Sequence, residues 1–324
     1  MKARGSNSSA SCLTAVFYSW LRACIIALVN DKRPWYERTA VASLRRLQLN
    51  RFPYLVYRVS PVLGKASVRI WYQYMSRLDK RREMVFMNYG YAGLDDVPPP
   101  VLLEPDEGDR YCLQLYHHLT NGIRLAGSDV LEVGSGRGGG CSYVARYLDP
   151  RSVTGLDLAQ LAVDFCAREY AATGLRFVHG DAEALPFHDG EFDVVVNVES
   201  SHCYVSMSRF LSEVRRVLKP GGFLLFADVR PGDGLKTLRS QIDRSGFEVI
   251  REELITANVL RALELDEERK IQLIGDRVPW FVRSLFREFA STRGSATYES
   301  FLKRRWEYVS YTLRSPSKPG EQPA

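Results

Sequence analysis

The sequence predicts an α/β fold in which a mainly parallel sheet carries helices on both faces, and three observations support that expectation. Residues 130–133 form a short apolar run that passes directly into a glycine loop, Gly134-Ser-Gly136-Arg-Gly138-Gly-Gly140. Further apolar runs at residues 153–158, 192–198 and 223–226 alternate with helix-period segments. Turn signals separate them, the strongest being Leu218-Lys-Pro-Gly-Gly222.

Taken in order, residues 1–85 read as a basic, aromatic-rich helical extension broken at Pro34, Pro53 and Pro61. They hold 16 Lys and Arg against 4 Asp and Glu, while residues 86–324 hold 28 against 34, so the basic character belongs to the arm. The cations are interleaved with Trp20, Trp35, Tyr36, Tyr54 and Trp71, which suits a lipid headgroup boundary or a self-packing helical arm; nucleic acid is the less favoured partner. Residues 12–29 are mostly apolar but interrupted by Arg22, and three readings stand for them: an interfacial or packed helix, a membrane span, and a targeting segment. A turn-rich link at 93–105 leads to a helix whose Tyr111, Leu115, Leu119 and Ile123 recur at helical spacing, with Gly127 marking its end. Residues 130–133 are the first strand and 192–198 the fourth. Beyond the fifth, residues 246–250 predict a sixth strand and residues 306–313 an antiparallel seventh. Between these two lies a helical insertion, about 255–305, with apolar stripes at Val259, Leu260 and Leu263 and at Trp280, Phe281 and Phe289. It is either a helix pair burying its own stripe or a cap over a substrate pocket. The domain division expected is thus 1–85 and 86–324.

The glycine loop by itself satisfies both the G-x-G-x-x-G pattern of dinucleotide sites and an E-x-G-x-G-x-G pattern beginning at Glu132. Asp157, at the end of the next apolar run, is placed to accept the hydroxyls of a ribose, which either cofactor class contains. The segment His179-Gly-Asp-Ala-Glu-Ala-Leu-Pro-Phe187 separates the two: Asp181 can bond an adenine amino group and Ala182 offers a backbone N–H, and a nicotinamide enzyme has no need of it. Together with 192–198 and 214–228, these motifs in this order resemble the class I S-adenosylmethionine-dependent methyltransferases. That resemblance implies a Rossmann-like, seven-stranded, mostly parallel sheet. It also implies S-adenosylmethionine as cofactor, held by Tyr91, Glu132, Gly134, Ser135, Gly136, Asp157, Leu158, Asp181, Ala182, Glu183 and Asn197. Within the class, Phe86-Met-Asn-Tyr-Gly-Tyr91, Leu115-Tyr-His117, Asn197-Val-Glu-Ser-Ser-His-Cys-Tyr204 and Ala227-Asp-Val-Arg-Pro231 are similar to the mycobacterial phthiotriol and phenolphthiotriol dimycocerosates methyltransferases, which O-methylate a lipid hydroxyl. The chain departs from them in its long N-terminus and in Ser135 and Arg137.

An alcohol is a poor nucleophile until a base engages it, and His202, just past the fourth strand, is the candidate general base. Glu199, three residues earlier, either orients His202 or contacts the cofactor or a cap residue. Asp228 and Arg230 end the fifth strand on the same edge, as a contribution to the proton path or as a local ion pair. Tyr89 and Tyr91 are placed for an aromatic lid over the methionine end of the cofactor, or for plain packing; His117 and His118 read as structural. The six cysteines form no C-x-x-C pair and no metal-ligand spacing appears, so no metal is expected and reduced thiols fit a cytoplasmic setting, with or without membrane association. The reading favoured is an O-methyltransferase acting on a hydrophobic lipid or polyketide-type hydroxyl. The alternatives are a C- or N-methyltransferase on a sterol-like or other small molecule, and a non-catalytic cofactor-binding subunit; a dehydrogenase ranks last.

Overall fold

A computed structural model of the protein describes residues 85–317, apart from 96–97, 172–173, 279 and 281–282. The expectations for residues 1–84, including the basic arm, the apolar stretch at 12–29 and their membrane association, lie outside the described residues. Among the described residues no helix is long and apolar enough to cross a membrane.

Seven strands form one sheet in the order β3-β2-β1-β4-β5-β7-β6. They are β1 (Asp129–Val133), β2 (Ser152–Asp157), β3 (Arg176–His179), β4 (Phe192–Val198), β5 (Leu218–Pro231), β6 (Glu248–Leu254) and β7 (Trp306–Arg314). β1 to β5 pair in parallel, and β7 runs antiparallel between β5 and β6. The strand order reverses between β1 and β4, so a crevice opens at their carboxyl ends, where a nucleotide-type ligand sits in such sheets.

Strand β4 illustrates why the sheet needs two covering layers. Val194, Val196 and Val198 enter one apolar cluster and Val195 the other, so both faces are buried. The first cluster is closed by α1 (Arg110–Thr120), which contributes Leu113, Leu115, Tyr116 and Leu119. On the opposite face lies α4 (Met207–Val217), whose Met207, Phe210, Leu211, Val214 and Val217 keep helical spacing. The Ser206 hydroxyl accepts from the Arg209 N–H at 3.2 Å and starts that helix. Helices α2 (Gly139–Tyr147) and α3 (Gln160–Glu169) follow β1 and β2, and α5 (Gly232–Asp243) follows β5.

Three boundaries differ from expectation. α1 stops at Thr120 rather than near Gly127, because Gly122 takes a left-handed φ of 85° and turns the chain before Ile123. β5 begins at Leu218, pairs Leu218 with Phe192, and resumes at Phe223 opposite Val194, so the turn-like Lys-Pro-Gly-Gly stretch is an irregularity inside the strand. β6 starts at Glu248, since Gly246 at φ 78° closes the preceding turn.

Between β6 and β7 the insertion forms α6 (Thr256–Leu265), α7 (Glu267–Arg277), α8 (Arg283–Phe289) and α9 (Ala296–Leu302). It does two things at once. Val259 and Leu263 of α6 and Tyr298 and Phe301 of α9 join the main core, while Ile274, Val278 and Phe286 make a separate small one. Trp280, expected on an apolar stripe, is instead 70% exposed.

Candidate active site

The glycine loop leaves β1 with Gly134, Gly136 and Gly138 all at positive φ, of 78°, 52° and 80°. At two of these, space also matters. A Cβ on Gly134 would overlap Ser200, and one on Gly136 would stand 2.9 Å from the Met87 methyl carbon, so the loop is threaded between two other segments. Asp157, at the tip of β2, accepts the Gly136 N–H on one carboxylate oxygen and the Ala159 N–H on the other, both at 2.8 Å. Each oxygen keeps a lone pair for a further donor. Burial raises the Asp157 pKa, and those backbone hydrogen bonds partly oppose the rise.

Glu132 is 3% exposed in β1 and accepts the Tyr116 hydroxyl at 2.7 Å. Burial pushes its pKa up to about 7 against hydrogen bonds from Cys141 and Tyr116. Asn197, fully buried at the end of β4, donates its amide to the Val133 carbonyl at 2.9 Å and to the Ser200 and Tyr204 hydroxyls. It therefore pins the segment after β4 to the tip of β1. Asn197 Oδ1 and the Ser135 hydroxyl are buried with no hydrogen-bond partner among the described residues. The expected adenine segment forms a local turn in which Asp181 accepts the Glu183 N–H at 3.0 Å, with Ala182 buried beside it. Glu183 accepts the Val205 N–H at 2.8 Å, and the Leu158 carbonyl bonds the His179 ring at 3.1 Å.

His202 lies in a 3-10 turn (Ser201–Cys203) directly beyond β4. Its Nδ1 is 2.7 Å from Asp228 Oδ1, and its backbone N–H donates to Asp228 Oδ2 at 2.9 Å. Asp228 is fully buried on β5 and also accepts from the Ser201 hydroxyl at 2.5 Å, with the Arg230 guanidinium at 3.1 Å. Burial works to raise the Asp228 pKa, but the charges of His202 and Arg230 outweigh it and hold the carboxyl well below its usual range. For His202, burial opposes the imidazolium, and the electrostatic influence of its neighbours Cys203 and Asp228, with the hydrogen bond to the Asp228 carboxylate, more than offsets it, so its pKa stands well above the ordinary value. The ring still keeps 35% of its side-chain surface exposed.

Glu199 does not orient His202; Asp228 occupies that position. The backbone takes a left-handed turn at Glu199, φ 46°, and its carboxylate accepts the Tyr89 N–H at 2.7 Å and the Tyr308 hydroxyl at 2.8 Å. Tyr91 packs away from Glu199. Its ring stacks on His118 at 4.3 Å, and His118 in turn reaches Ser310 and Glu253 of the β7–β6 edge, so the aromatic ring is drawn over that part of the sheet. The residues of this segment that meet the loop are Phe86, against Gly139, and Met87, against Gly136. Tyr308, Tyr116 and Ser200 were not singled out from sequence, because nothing local marks a tyrosine on a distant strand or helix as a carboxylate's partner. Asp228 carried a readable signal, a lone carboxylate closing an apolar strand.

Next to this site is a solvent-open pocket between the 86–89 segment and helices α7 and α8. Its apolar wall includes Phe86, Met87, Leu273, Ile274, Phe286 and Phe289, and Tyr89 borders it. Among the described residues no group of three or more His, Cys, Asp or Glu side chains is arranged to hold a metal.

Residues 131–226 match the family model described as a methyltransferase domain. The chain is 41% identical over 228 residues to the phthiotriol/phenolphthiotriol dimycocerosates methyltransferase of Mycobacterium tuberculosis, covering 70% of this chain and 84% of that protein. It is 36% identical over 266 residues to a fatty-acid O-methyltransferase of Mycolicibacterium smegmatis, covering 82% and 95%. Among solved structures, the fold is similar to a Mycobacterium tuberculosis cyclopropane synthase with a TM-score of 0.58 at 14% identity, covering 74% of this chain and 95% of that one.

Proposed function

Because the chain belongs to the phthiotriol/phenolphthiotriol dimycocerosates methyltransferase family of class I S-adenosylmethionine-dependent methyltransferases, we propose that it O-methylates a hydroxyl of a long-chain lipid or polyketide-type acceptor, with His202 as general base. The observation that carries this reading is the His202–Asp228 pair at the tips of β4 and β5, beside the glycine loop.

The residues fit the cofactor. Gly134 and Gly136 permit close backbone approach, Asp157 has lone pairs free for a ribose diol, and the unsatisfied Asn197 and Ser135 oxygens await donors. Asp181 and Ala182 would meet the adenine. S-adenosylmethionine supplies an electrophilic methyl group on a sulfonium. The protein then has to align the acceptor, exclude water and remove one proton. With Nδ1 donating to Asp228, the imidazole presents Nε2 as its basic nitrogen, and Asp228 holds both the tautomer and the ring orientation. The apolar wall under α7 and α8 suits an acceptor that carries long hydrocarbon chains.

Methyl transfer from labelled S-adenosylmethionine to hydroxylated long-chain lipids tests the reading. His202→Ala should lower turnover by roughly two to four orders of magnitude while the affinity for S-adenosylhomocysteine is kept. Unchanged turnover would remove His202 from the mechanism. A carboxylate acceptor is a second reading, favoured by the similarity to the fatty-acid enzyme. A carboxylate is already an anion near neutral pH, so His202→Ala would then leave turnover on fatty acids largely intact.

A further inference from the structure

Three carboxylates cluster beneath the strand tips, and they are not compensated alike. Asp228 has His202 and Arg230. Glu132 and Glu199 have only neutral donors: Cys141 and the Tyr116 hydroxyl for the first, the Tyr89 N–H and the Tyr308 hydroxyl for the second. Among the described residues no ion pair reaches Glu199.

The position of Glu199 narrows what such a charge is for. Its own N–H bonds the Ala227 carbonyl of β5 at 2.9 Å, and the next residue, Ser200, is the one a Cβ on Gly134 would strike. On its other side, the Tyr89 segment carries Met87, which meets Gly136. Glu199 thus adjoins the residue that meets the glycine loop, holds the 86–89 segment, and follows β4, two strands from the Asp157-bearing β2 in the sheet order. A left-handed, non-glycine backbone costs about 1 kcal/mol or more, and a part-buried carboxylate whose hydrogen-bond donors are both neutral adds to that cost; together they mark a site kept for a ligand. The cofactor brought to this cleft is a cation.

We infer that Glu199 is the counter-ion of the sulfonium-bearing cofactor, so that the chain binds S-adenosylmethionine in preference to the uncharged sulfide S-adenosylhomocysteine. Once the methyl group has left, the compensating charge is gone, which favours release of the spent cofactor. The groups facing Glu199 are Tyr89, Tyr308 on β7, Asp228 on β5, His202 in the 3-10 turn and Tyr116 on α1; burial pushes its own pKa up to about 7. Its charge is therefore available to a cation above neutrality and reduced below it.

The inference does not depend on His202 as base, and binding rather than turnover tests it. Calorimetric titration of the full chain with each compound at pH 6 and pH 8 should show the preference for S-adenosylmethionine growing with pH. Glu199→Gln keeps an oxygen for Tyr89 and Tyr308. It should weaken S-adenosylmethionine binding about tenfold or more at pH 8 and leave S-adenosylhomocysteine nearly unchanged. Equal losses for both compounds, or none, would overturn the assignment. Should Glu199→Gln fail to fold, the wild-type pH comparison decides alone: a preference that is flat between pH 6 and 8 refutes it.

Discussion

At the scale of single residues, the arrangement around His202 shows how one buried carboxylate sets both geometry and proton affinity. Asp228 accepts from the ring and backbone of His202 and from Ser201, so the imidazole is fixed at two points. The same charge raises the His202 pKa, and turnover on an alcohol should therefore rise with pH as the imidazolium gives up its proton. Asp228→Asn removes that charge. Its rate–pH profile should shift toward lower pH by about one unit or more, together with a lower plateau. A profile that keeps its position would show that Asp228 acts only in packing. The position of His202 was legible because histidine after the fourth strand is a local pattern. Its partner was less so: Glu199, three residues away, was the nearer carboxylate in sequence, yet a left-handed turn aims it at Tyr308.

At the scale of elements, the insertion between β6 and β7 divides its work by helix. α6 and α9 add Val259, Leu263, Tyr298 and Phe301 to the main core and anchor the insertion. α7 and α8 bury a smaller set, Ile274, Val278 and Phe286, and turn Leu273, Ile274 and Phe286 toward the pocket. Ile274→Ala should cost about 2–5 kcal/mol at a fully packed site and less in this small core. Its functional effect should be a several-fold rise in KM for the lipid acceptor with S-adenosylhomocysteine affinity unaltered; a loss of cofactor affinity instead would place α7 in the cofactor site. Helical periodicity identified these stripes. Which stripe faces the core and which the pocket depends on the direction in which the chain re-enters the sheet at β7, and periodicity carries no information about that.

For the whole molecule, buried charge sets a pH dependence. Glu132 and Glu199 are held at about 7, above the ordinary carboxylate value of 4.5, by burial. Stability from their protonated forms is fully present below about pH 4.5 and is lost as pH rises through 7, at roughly 3 kcal/mol each as an upper bound. His202, also raised, adds loss in the same direction. Asp129 and Asp228 have the opposite sign: their depressed values, Asp129 through its bonds to Arg151, contribute stability above about pH 4 that disappears in acid. The cofactor-free protein should accordingly melt highest near pH 5 and lower by pH 8, at about 2–4 °C per kcal/mol. A melting temperature that climbs steadily to pH 8 would contradict the raised pKa values of these two glutamates.

The order of motifs along the chain was enough to determine the class of fold, the cofactor and the family, because each motif is a local solution: glycines where a backbone must turn sharply, a carboxylate at a strand end, an apolar run for a strand buried on both faces. The alternation of strands and helices then left one mostly parallel arrangement open to it. What only the tertiary structure decided is which distant groups meet. Asp228 rather than Glu199 holds His202, Tyr91 stacks on His118, and the Tyr308 and Tyr116 hydroxyls donate to Glu199 and Glu132. Those contacts join residues up to 109 positions apart, and they are set by strand register and side-chain direction, which no local pattern encodes.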